Sequence, residues 1–571
     1  MIELTKQTVP SLLDEVFDKF IDQKGFSFVN GKQNTYRDLQ EEIARIGNIL
    51  QEKGIQKGDK IAILGANSPS WVASYFAIAT LGAVSVPILP DFTDKEIESI
   101  LQHSGIKAIF VSSKLYPKVQ DAKIESLEYT FRMDGLAQIP NNTSIENFTN
   151  IPDAIVSAEG YQYADVEEDD LLTIIYTSGT TGTSKGVMLT HKNILYNVYQ
   201  GRDVQEITEN DCFLSVLPLS HTYENTVGMM FATVAGASTY YLEKLPTPSV
   251  LLPAMKKIRP DFMLTVPLIM EKIYKSKVLP GINNKFLTRW AYKLPIGRRL
   301  LNKVAGKKIY EAFGGNLKFF GIGGSKLDPT VEQFLLDSKF PYSIGYGMTE
   351  TSPLIAGAGV GKTKLGSTGE PVRGLKVRIA KENPNAETGE IQVKGDNVMQ
   401  GYYKNPEATR EVFTEDGWLR TGDLGLLDKK GNLYIKGRIK TMLVGASGEN
   451  IYPEEIESII NKDELVSESL VTQIGGKLVA MVHLNMDELE KRVKRIQSNM
   501  STFKTDAIQK KDDAKQYLEE KSQEILQEMK VKVNNELNKF SQIQKMVLQH
   551  DPFEKTPTQK IKRFLYKKDK E

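Results

Sequence analysis

The stretch at residues 174–193 carries residue types that could bind phosphate. A β-branched run at 173–175 predicts a buried strand, and it leads into the sequence YTSGTTGTSKG at 176–186. This loop holds three glycines that permit close backbone approach, six serine and threonine hydroxyls, and one cation, Lys185. Its composition therefore predicts a cradle for an anionic, phosphate-bearing ligand.

Two other interpretations of this loop fit less well. A P-loop needs Gly-Lys-Ser/Thr in that order after a four-residue gap, whereas here Lys185 follows Ser184 and precedes Gly186. A surface linker accounts for the Ser/Thr/Gly composition but not for the apolar residues at 173–175 and 187–189 on either side. We therefore expect a functional loop held between rigid elements.

Composition narrows the classes of function. The 571 residues are 40% hydrophobic and 25% charged, which is typical of a globular protein with several subdomains. Lys and Arg number 73 against 72 for Asp and Glu, so no global basic field favours nucleic acid or an anionic membrane. The single cysteine, Cys212, and five scattered histidines indicate no disulfide and no metal cluster. We expect a reducing, cytoplasmic compartment and no signal peptide.

An uncharged stretch at 65–90 is long enough to span a bilayer. Pro69, Pro87 and Pro90 interrupt it, and Gly82 divides a helix-like half from a β-branched half. We therefore predict a buried helix followed by a strand instead of a membrane span. The neighbouring segments predict a helix at 36–53 and strands at 60–64 and 108–111. This alternation predicts parallel α/β layers.

Two further segments end predicted strands with residues suited to binding. The sequence FLSVLPLSHTYE at 213–224 delivers His221 and Tyr223 to a strand end, where open α/β sheets bind ligands. His221 alone would more often be an ordinary hydrogen-bonded histidine. The sequence FFGIGGSKLD at 319–328 offers bare glycine backbone on which a flat ring could lie, and an ordinary strand-to-helix turn is the alternative.

The sequence PYSIGYGMTETSP at 341–353 combines an aromatic ring with a carboxylate. Tyr346 lies between two glycines and could stack on a purine, and Glu350 lies between hydroxyls and could hold a magnesium ion that bridges phosphates. A core tyrosine and a helix-capping Thr-Glu pair are the alternatives.

From residue 386 onward, short strands and turns replace the α/β pattern. The segments at 389–395 and 401–406 predict a small β-rich lobe. The sequence GWLRTGDLG at 417–425 predicts a strand that ends with Asp423 on a tight glycine turn. Such a carboxylate could accept both hydroxyls of a ribose, or Asp423 could simply form the turn.

Residues 486–530 show helical periodicity with a narrow apolar seam. Apolar residues recur at steps of three and four at Met486, Leu489, Val493, Ile496, Met500, Phe503 and Ala507. After Lys510 a looser seam continues with Ala514, Tyr517, Leu518, Ile525 and Met529. We expect an inserted helix or helical hairpin that packs on its own domain, and docking to a partner or a membrane surface is the alternative.

Taken together, these motifs resemble the signatures of the adenylate-forming superfamily, which includes acyl- and aryl-CoA ligases, luciferases and the adenylation domains of peptide synthetases. The loop at 176–186 matches its phosphate-binding signature, and 341–353 matches its next strong motif without a gap. LPLSHTYE at 217–224 and VPLIMEKIY at 266–274 are similar to bacterial long-chain fatty acid–CoA ligases. The resemblance covers essentially the whole chain apart from the helical insert.

The resemblance implies an α/β fold with two domains. Residues 1–437 would form a large N-terminal domain of two layered α/β subdomains plus a small β-barrel-like lobe. Residues 438–571 would form a small, mobile α+β domain that carries the insert at about 486–530 and swings about a hinge at Lys440. The position after the hinge is often acidic in the family and is Thr441 here.

The resemblance also implies site residues. Catalytic roles fall to Lys560, Lys185, Thr349 and His221, and metal ligation to Glu350 and Thr177. The nucleotide would contact Thr177, Ser178, Gly179, Thr180, Thr181, Gly182, Thr183, Lys185, Gly324, Ser325, Tyr346, Gly347, Met348, Thr349, Asp423, Arg438 and Lys560. Gly448 and Glu449 would line a thiol tunnel. The chain departs from the family pattern at Ser325-Lys326, where Ala-Pro is usual, and at Gln559, where glycine is usual. Lys562 is the fallback for Lys560.

The implied activity is ATP-dependent conversion of a fatty acid, long-chain by preference, to an acyl-adenylate and then to acyl-CoA, with ATP, Mg²⁺ and coenzyme A. Alternatives are a medium-chain or aryl acid ligase, an acyl-acyl carrier protein synthetase, and a degenerate nucleotide-binding scaffold. The presence of Lys185, Glu350, Asp423, Arg438 and Lys560 argues against the scaffold. Expected partners are the fatty acid, ATP and CoA, without nucleic acid. Peripheral membrane association through the insert and the oligomeric state stay open.

Overall fold

The computed structural model describes residues 4–139, 156–177, 184–283, 285–444, 450–486, 489, 511–556 and 560–566. The chain divides into two compact units. The larger comprises Met1–Ile379, Gln392–Thr421 and Leu427–Tyr434, and the smaller comprises Ala380–Ile391, Gly422–Leu426 and Ile435–Glu571. The fold is mixed α/β, as the alternation of strand and helix patterns predicts.

The larger unit contains two eight-stranded sheets. In the first, the strands lie in the order Gly401–Tyr402, Lys185–Thr190, Leu171–Thr177, Val84–Ile88, Lys60–Leu64, Ala108–Val111, Tyr129–Arg132 and Ala137–Ile139. The central strands pair in parallel, and both edges are antiparallel. Apolar side chains of the central strands pack against Ile97, Ile100 and Leu101 of the Asp94–Ser104 helix. Strands at 60–64 and 108–111 are thereby confirmed.

In the second sheet the strands lie in the order Phe26–Phe28, Ser238–Tyr241, Cys212–Ser215, Phe262–Thr265, Phe319–Ile322, Tyr342–Gly347, Leu354–Gly357 and Glu370–Pro371. All pairs are parallel up to Tyr342–Gly347, and the last two strands are antiparallel. The carboxyl ends of the parallel strands therefore share one edge, which is where an open α/β sheet binds its ligands.

The α-helices span Val9–Phe20, Tyr36–Glu52, Pro69–Thr80, Asp94–Ser104, His191–Val204, Phe231–Ala235, Pro248–Ile258, Pro267–Ile273, Leu279–Asn283, Phe286–Tyr292, Pro295–Ala312, Pro329–Ser338, Pro406–Val412, Pro453–Ile460 and Lys511–Glu536. Tyr223–Met230 and Tyr274–Val278 wind as π-helices. Short 3₁₀ turns span Tyr116–Lys118, Thr349–Thr351, Lys539–Ser541 and Arg563–Tyr566.

Local sequence explains where several helices begin. Thr35 and Asp38 form a capping box, in which each side chain accepts a hydrogen bond from the other residue's backbone N–H. The Pro69–Thr80 helix begins with the Ser68 hydroxyl as its cap and proline in its first turn. Its residues from Trp71 to Thr80 are all buried, and the strand Val84–Ile88 follows. The prediction of a buried helix and strand at 65–90 is confirmed.

A separate four-stranded sheet has the order Lys376–Ala380, Gly389–Lys394, Leu419–Leu427 and Leu433–Arg438. Two details of the predicted β-rich lobe are wrong. Gly401–Tyr402 instead forms the edge of the first eight-stranded sheet by pairing with Met188 and Val187. Asp423 lies within a nine-residue strand, whose Gly422 adopts a φ of 70°, and does not end that strand. A local pattern cannot show which sheet a two-residue strand joins.

The smaller unit has its own core. Strands Val466–Ile474 and Lys477–Leu484 form an antiparallel hairpin, and Lys545–Leu548 adds in parallel. Strands Leu443–Val444 and Asn450–Ile451 pair separately. The Lys511–Glu536 helix packs on this core through Leu526, Met529 and Val533, and Ile525 lies partly buried against it.

Within the region of the predicted insert, residues 511–530 belong to the Lys511–Glu536 helix, which packs on the core of its own unit. The first half of the predicted seam, from Val493 to Ala507, lies outside the described residues. No helix within the described ranges is long and apolar enough to cross a membrane.

Candidate functional site

The predicted phosphate loop connects two strands of a hairpin. Leu171–Thr177 and Lys185–Thr190 pair antiparallel, and Thr177 lies directly opposite Lys185 at the open end. Residues 178–183, which include Ser178, Gly179, Thr180, Thr181, Gly182 and Thr183, lie outside the described part of the chain. The hairpin thus presents a hydroxyl and a cation side by side where the loop begins and ends.

Tyr402 links this hairpin to the acidic motif. The Lys185 Nζ atom lies 4.8 Å from the centroid of the Tyr402 ring, within range of a cation–π interaction. The Tyr402 hydroxyl donates a 2.8 Å hydrogen bond to Oε1 of Glu350. Burial and the negative charge of Glu350 both raise the pKa of Tyr402, so the phenol stays neutral and remains a donor. Lys185, Tyr402 and Glu350, which we call the Lys-Tyr-Glu cluster, are therefore held together.

Tyr402 is a site residue that the sequence does not reveal. It belongs to a two-residue edge strand, which is too short to leave a periodic pattern. Its hydrogen bond to Glu350 joins residues 52 positions apart. Only the pairing of Tyr402 with Val187 on the strand that starts at Lys185 brings its ring to the site.

The turn that carries Glu350 is held in place by hydrogen bonds from the Asn397 side chain and the Met399 backbone. Glu350 and Thr349 are each only 9% exposed, on the turn Thr349–Thr351. The buried Asn397 side chain donates to the carbonyl oxygens of Thr351 and Leu354 at 2.9 Å each. Met399 N–H donates to the Glu350 carbonyl at 2.9 Å. These bonds to buried backbone restrict the direction in which the carboxylate points.

Gly347 is required by close packing just before this turn. A Cβ atom at this position would lie 1.9 Å from the carbonyl oxygen of Pro353, which no L side chain can tolerate. Met348 N–H donates to that same carbonyl at 3.0 Å. Tyr346, one residue earlier, is half-buried at the end of the Tyr342–Gly347 strand. The structure thus places Tyr346, Gly347, Met348, Thr349 and Glu350 consecutively at the strand-end edge.

His221 and Tyr223 reach the same edge from the Cys212–Ser215 strand. His221 Nδ1 accepts a hydrogen bond from the Tyr223 N–H at 3.2 Å. The Tyr223 side chain lies on the bare backbone of the Phe319–Ile322 strand end: a Cβ at Gly321 would lie 2.9 Å from its hydroxyl, and one at Gly323 3.2 Å from its ring. The ring that lies on Gly321 and Gly323 is therefore the side chain of Tyr223, and a ligand ring cannot occupy the same place. Gly324, with a φ of 91°, and Ser325 follow as exposed residues.

Glu224 is a buried acid beside this aromatic ring. It is 2% exposed within the π-helix Tyr223–Met230, a type of helix that is frequent at functional sites. Burial raises its pKa to about 8, against the opposing effect of the Ser215 hydroxyl and the Leu217 amide. One carboxyl oxygen, Oε2, has no hydrogen-bond partner in the structure. Glu224 is therefore held protonated near neutral pH.

In the smaller unit, Asp423 and Arg438 form an ion pair. Arg438 Nε lies 3.0 Å from Asp423 Oδ1, with the Asp423 side chain buried and that of Arg438 46% exposed. Lys440 is exposed on the following turn. Thr441 donates its hydroxyl to Oε1 of Glu454 at 2.7 Å, on the first turn of the Pro453–Ile460 helix. The residue that replaces the family's acid thus connects this turn to a helix.

Lys560 is exposed and belongs to the same unit. Its N–H donates to Thr556 Oγ1 at 3.2 Å, and the Thr556 N–H donates to its carbonyl at 2.7 Å. The adjoining segment is anchored by Arg563, which pairs with the buried carboxylate of Glu457. Lys562, the fallback, donates its N–H to the Glu554 carbonyl at 2.8 Å. Gly448 and Glu449, the predicted tunnel residues, lie outside the described residues.

The acidic residues fit a magnesium–nucleotide complex. Mg²⁺ in phosphate sites is bound through one or two carboxylates together with the substrate's phosphate oxygens. The described ranges contain no group of three or more His, Cys, Asp or Glu side chains that could hold a metal ion. Glu350 offers one buried, oriented carboxylate, and Thr177 offers a hydroxyl at the mouth of the hairpin. These oxygen donors suit a Mg²⁺ ion that binds as a complex with the phosphates of a nucleotide.

Comparison with known proteins identifies relatives. The family model described as AMP-binding enzyme matches residues 15–403. The peroxisomal long chain acyl-CoA synthetase 7 of Arabidopsis thaliana is 31% identical over 490 residues, which cover 80% of this chain and 69% of that protein. The long-chain-fatty-acid–CoA ligase FadD15 of Mycobacterium bovis is 28% identical over 445 residues, 73% and 71% of the two chains. Among solved structures, ATP-bound MatB from Rhodopseudomonas palustris superposes with a TM-score of 0.74, at 24% identity and 98% coverage of both chains.

Proposed function

Since the chain belongs to the family of AMP-binding enzymes, we propose that it activates a long-chain fatty acid with ATP and transfers the acyl group to coenzyme A. Two relatives bear the names of a long chain acyl-CoA synthetase and a long-chain-fatty-acid–CoA ligase, which supports this substrate class. The observation that carries the proposal is the Lys-Tyr-Glu cluster, because it unites a cation and an oriented carboxylate at the mouth of a Ser/Thr/Gly loop.

Adenylation sets a clear physical demand on this cluster. A carboxylate is a weak nucleophile toward the α-phosphorus of ATP, and both reactants are anionic. The enzyme must therefore offset negative charge and hold the two reactants in line. Lys185 supplies a fixed positive charge next to the loop, and the Tyr402 ring keeps its ammonium group in place. We assign the loop at 178–183 to the phosphates of ATP.

Glu350 and Thr177 would hold Mg²⁺ together with those phosphates. The ion, when bound, supplies positive charge that stabilises the leaving pyrophosphate. The chain's own contribution is orientation: the Tyr402 hydroxyl fixes one carboxylate oxygen of Glu350, and Asn397 fixes the turn behind it. Thr349, on the same turn, would contact the α-phosphate.

The remaining nucleotide contacts belong to the strand ends and the smaller unit. We assign adenine to the region of Gly324, Ser325, Tyr346 and Gly347, and the ribose hydroxyls to Asp423. The Arg438 guanidinium pairs with the Asp423 carboxylate, so binding of ribose would share or displace that ion pair. His221, beside Tyr223, would line the wall between the nucleotide and the acyl group.

The two half-reactions require different groups from the smaller unit. Lys560 would contact the carboxylate and the α-phosphate during adenylation. A rotation about Lys440 would then withdraw Lys560, and Gly448 and Glu449 would line the path by which the CoA thiol reaches the acyl carbonyl. We propose that residues 438–571 form this mobile domain.

We place the enzyme in the cytoplasm, where its one thiol, Cys212, stays reduced; burial raises the pKa of Cys212 to about 12.

Product analysis tests the proposal. The protein is incubated with palmitate, Mg²⁺-ATP and CoA, and the products are separated by chromatography. The proposal predicts palmitoyl-CoA and AMP in equal amounts, with octanoate and benzoate poorer substrates. Formation of ADP in place of AMP would refute acyl-adenylate formation. Absence of palmitoyl-CoA, with acylation of acyl carrier protein in a parallel reaction that supplies this protein in place of CoA, would refute the assigned acceptor.

A further inference from the structure

Two consecutive helices in the larger unit expose a row of large apolar side chains. Phe286–Tyr292 and Pro295–Ala312 are joined by a short link and pack against each other. The exposed apolar residues on them are Phe286 (73%), Leu287 (76%), Trp290 (59%), Leu294 (47%), Ile296 (75%), Leu300 (61%) and Val304 (60%). Such a concentration exceeds the scattered apolar residues of an ordinary protein surface.

These side chains are not needed to pack the helices on the protein. The inward residues do that: Ile309 lies in the core of the second sheet, and the Tyr292 hydroxyl lies 3.1 Å from that of Tyr274. Asn302, fully buried, donates to Asp337 at 3.0 Å. The Pro295–Ala312 helix therefore exposes Ile296, Leu300 and Val304 in addition to the side chains that it packs inward. A helix that simply borders water would carry polar residues outward.

The same segment is strongly basic. Its basic residues are Lys285, Arg289, Lys293, Arg298, Arg299, Lys303, Lys307 and Lys308, and residues 272–310 contain no Asp or Glu. All but Arg298 are exposed; Arg298 pairs with the buried Asp337 at 2.8 Å. Arg289 lies 5.9 Å from the centroid of the exposed Phe286 ring, so cationic and aromatic groups share one surface. The net charge of +1 for the whole chain conceals this local excess.

We propose that this basic-apolar surface, residues 285–308, docks on an anionic lipid bilayer. Exposed Trp, Phe and Leu side chains interleaved with Lys and Arg are what an interfacial helix needs, because the apolar groups enter the acyl boundary while the cations meet anionic headgroups. Trp290 is suited to the headgroup level. A second copy of the chain is a poor occupant, since it would bring two surfaces of the same charge together.

The proposal differs from the docking role considered for the insert. Leu526, Met529 and Val533 of the Lys511–Glu536 helix engage the core of the smaller unit, whereas the basic-apolar surface belongs to the larger unit and has its apolar side chains exposed. It is also independent of catalysis, because binding to vesicles requires neither ATP nor a fatty acid.

Vesicle flotation tests the proposal on the full-length protein. Vesicles of phosphatidylcholine alone are compared with vesicles containing about 30% phosphatidylglycerol. One variant, L287S/W290S, removes apolar groups, and a second, K303E/K308E, reverses two exposed charges. A matched control, V531S/K532E, changes an exposed apolar residue and a lysine on the Lys511–Glu536 helix. Circular dichroism and thermal melting confirm that each variant is folded; because the changed side chains are exposed, the expected change in stability is small.

We expect the wild type to float with anionic vesicles and not with phosphatidylcholine alone. Both surface variants should lose at least about tenfold in partition coefficient, and the control should bind like the wild type. High salt should weaken binding of the wild type. Absence of wild-type binding, equal binding by the surface variants, or loss of binding only in V531S/K532E would each overturn the proposal. A wild-type dimer that both surface variants abolish, without vesicle binding, would also overturn it.

Discussion

Replacing Tyr402 by phenylalanine removes one atom from the centre of the candidate site. The substitution deletes the hydroxyl that donates to Glu350 at 2.8 Å but keeps the ring beneath Lys185. A hydrogen bond to a charged group contributes about 1.5–3 kcal/mol, and the Glu350 carboxylate is almost fully buried, so water cannot readily replace the lost donor. If that energy serves to orient Glu350 toward the metal-bound phosphates, kcat/KM for adenylation should fall by about 10- to 100-fold.

The assay is fatty acid-dependent ATP–pyrophosphate exchange at several Mg²⁺ concentrations. Y402F should require more Mg²⁺ for half-maximal exchange, because a wrongly oriented carboxylate binds the ion less well. Tyr403 provides a matched control: its hydroxyl forms only a long, 3.4 Å hydrogen bond to the Ser104 carbonyl, and Y403F should retain near wild-type exchange. Exchange by Y402F within twofold of the wild type at every Mg²⁺ concentration would refute the role assigned to the Lys-Tyr-Glu cluster.

Two further predictions concern Glu224 and Lys560. The folded-state pKa of Glu224, about 8, lies above its ordinary value of 4.5, so the folded state keeps a proton that the unfolded state releases. The stability this contributes is complete below pH 4.5 and is lost as the pH rises to 8. Urea titrations should therefore show the free energy of unfolding of E224Q rising relative to that of the wild type, by up to about 1.4 kcal/mol per pH unit between pH 5 and 8. A constant difference across that range would contradict the burial argument. For the exposed Lys560, K560A should abolish pyrophosphate exchange yet convert supplied acyl-adenylate to thioester; equal loss of both steps would contradict its assignment to the first half-reaction.

Residues contiguous in sequence could be predicted to share a site, because one strand end presents them together. The predicted phosphate loop and the segment from Tyr346 to Glu350 are of this kind, and the strands that lead into them form where the β-branched and glycine patterns indicate. The parallel layering follows from the alternation of strand and helix patterns, and the buried helix at Pro69–Thr80 follows from an uncharged run that Pro69 and Gly82 delimit; local sequence carries both signals.

Contacts between distant segments could not be predicted in the same way. The bond from Tyr402 to Glu350 and those from Asn397 to the 351–354 turn depend on how the 397–402 segment folds back onto the first sheet. The sequence predicts Asp423 at a strand end because glycine usually signals a turn, whereas Gly422 here adopts its φ of 70° within a continuous strand. Total charge does not reveal the basic-apolar surface, because it averages over the whole chain, whereas charge acts locally within about 10 Å.

The central claim, that the Lys-Tyr-Glu cluster supports adenylation of a long-chain fatty acid, is tested most directly by pyrophosphate exchange without any thiol. Acetate, octanoate, palmitate, oleate and benzoate are compared in the wild type, with K185A as the variant that removes the cation of the cluster. We predict exchange that is greatest with palmitate or oleate and falls at least about 100-fold in K185A. No exchange with any acid, in protein shown to bind ATP, would contradict the account.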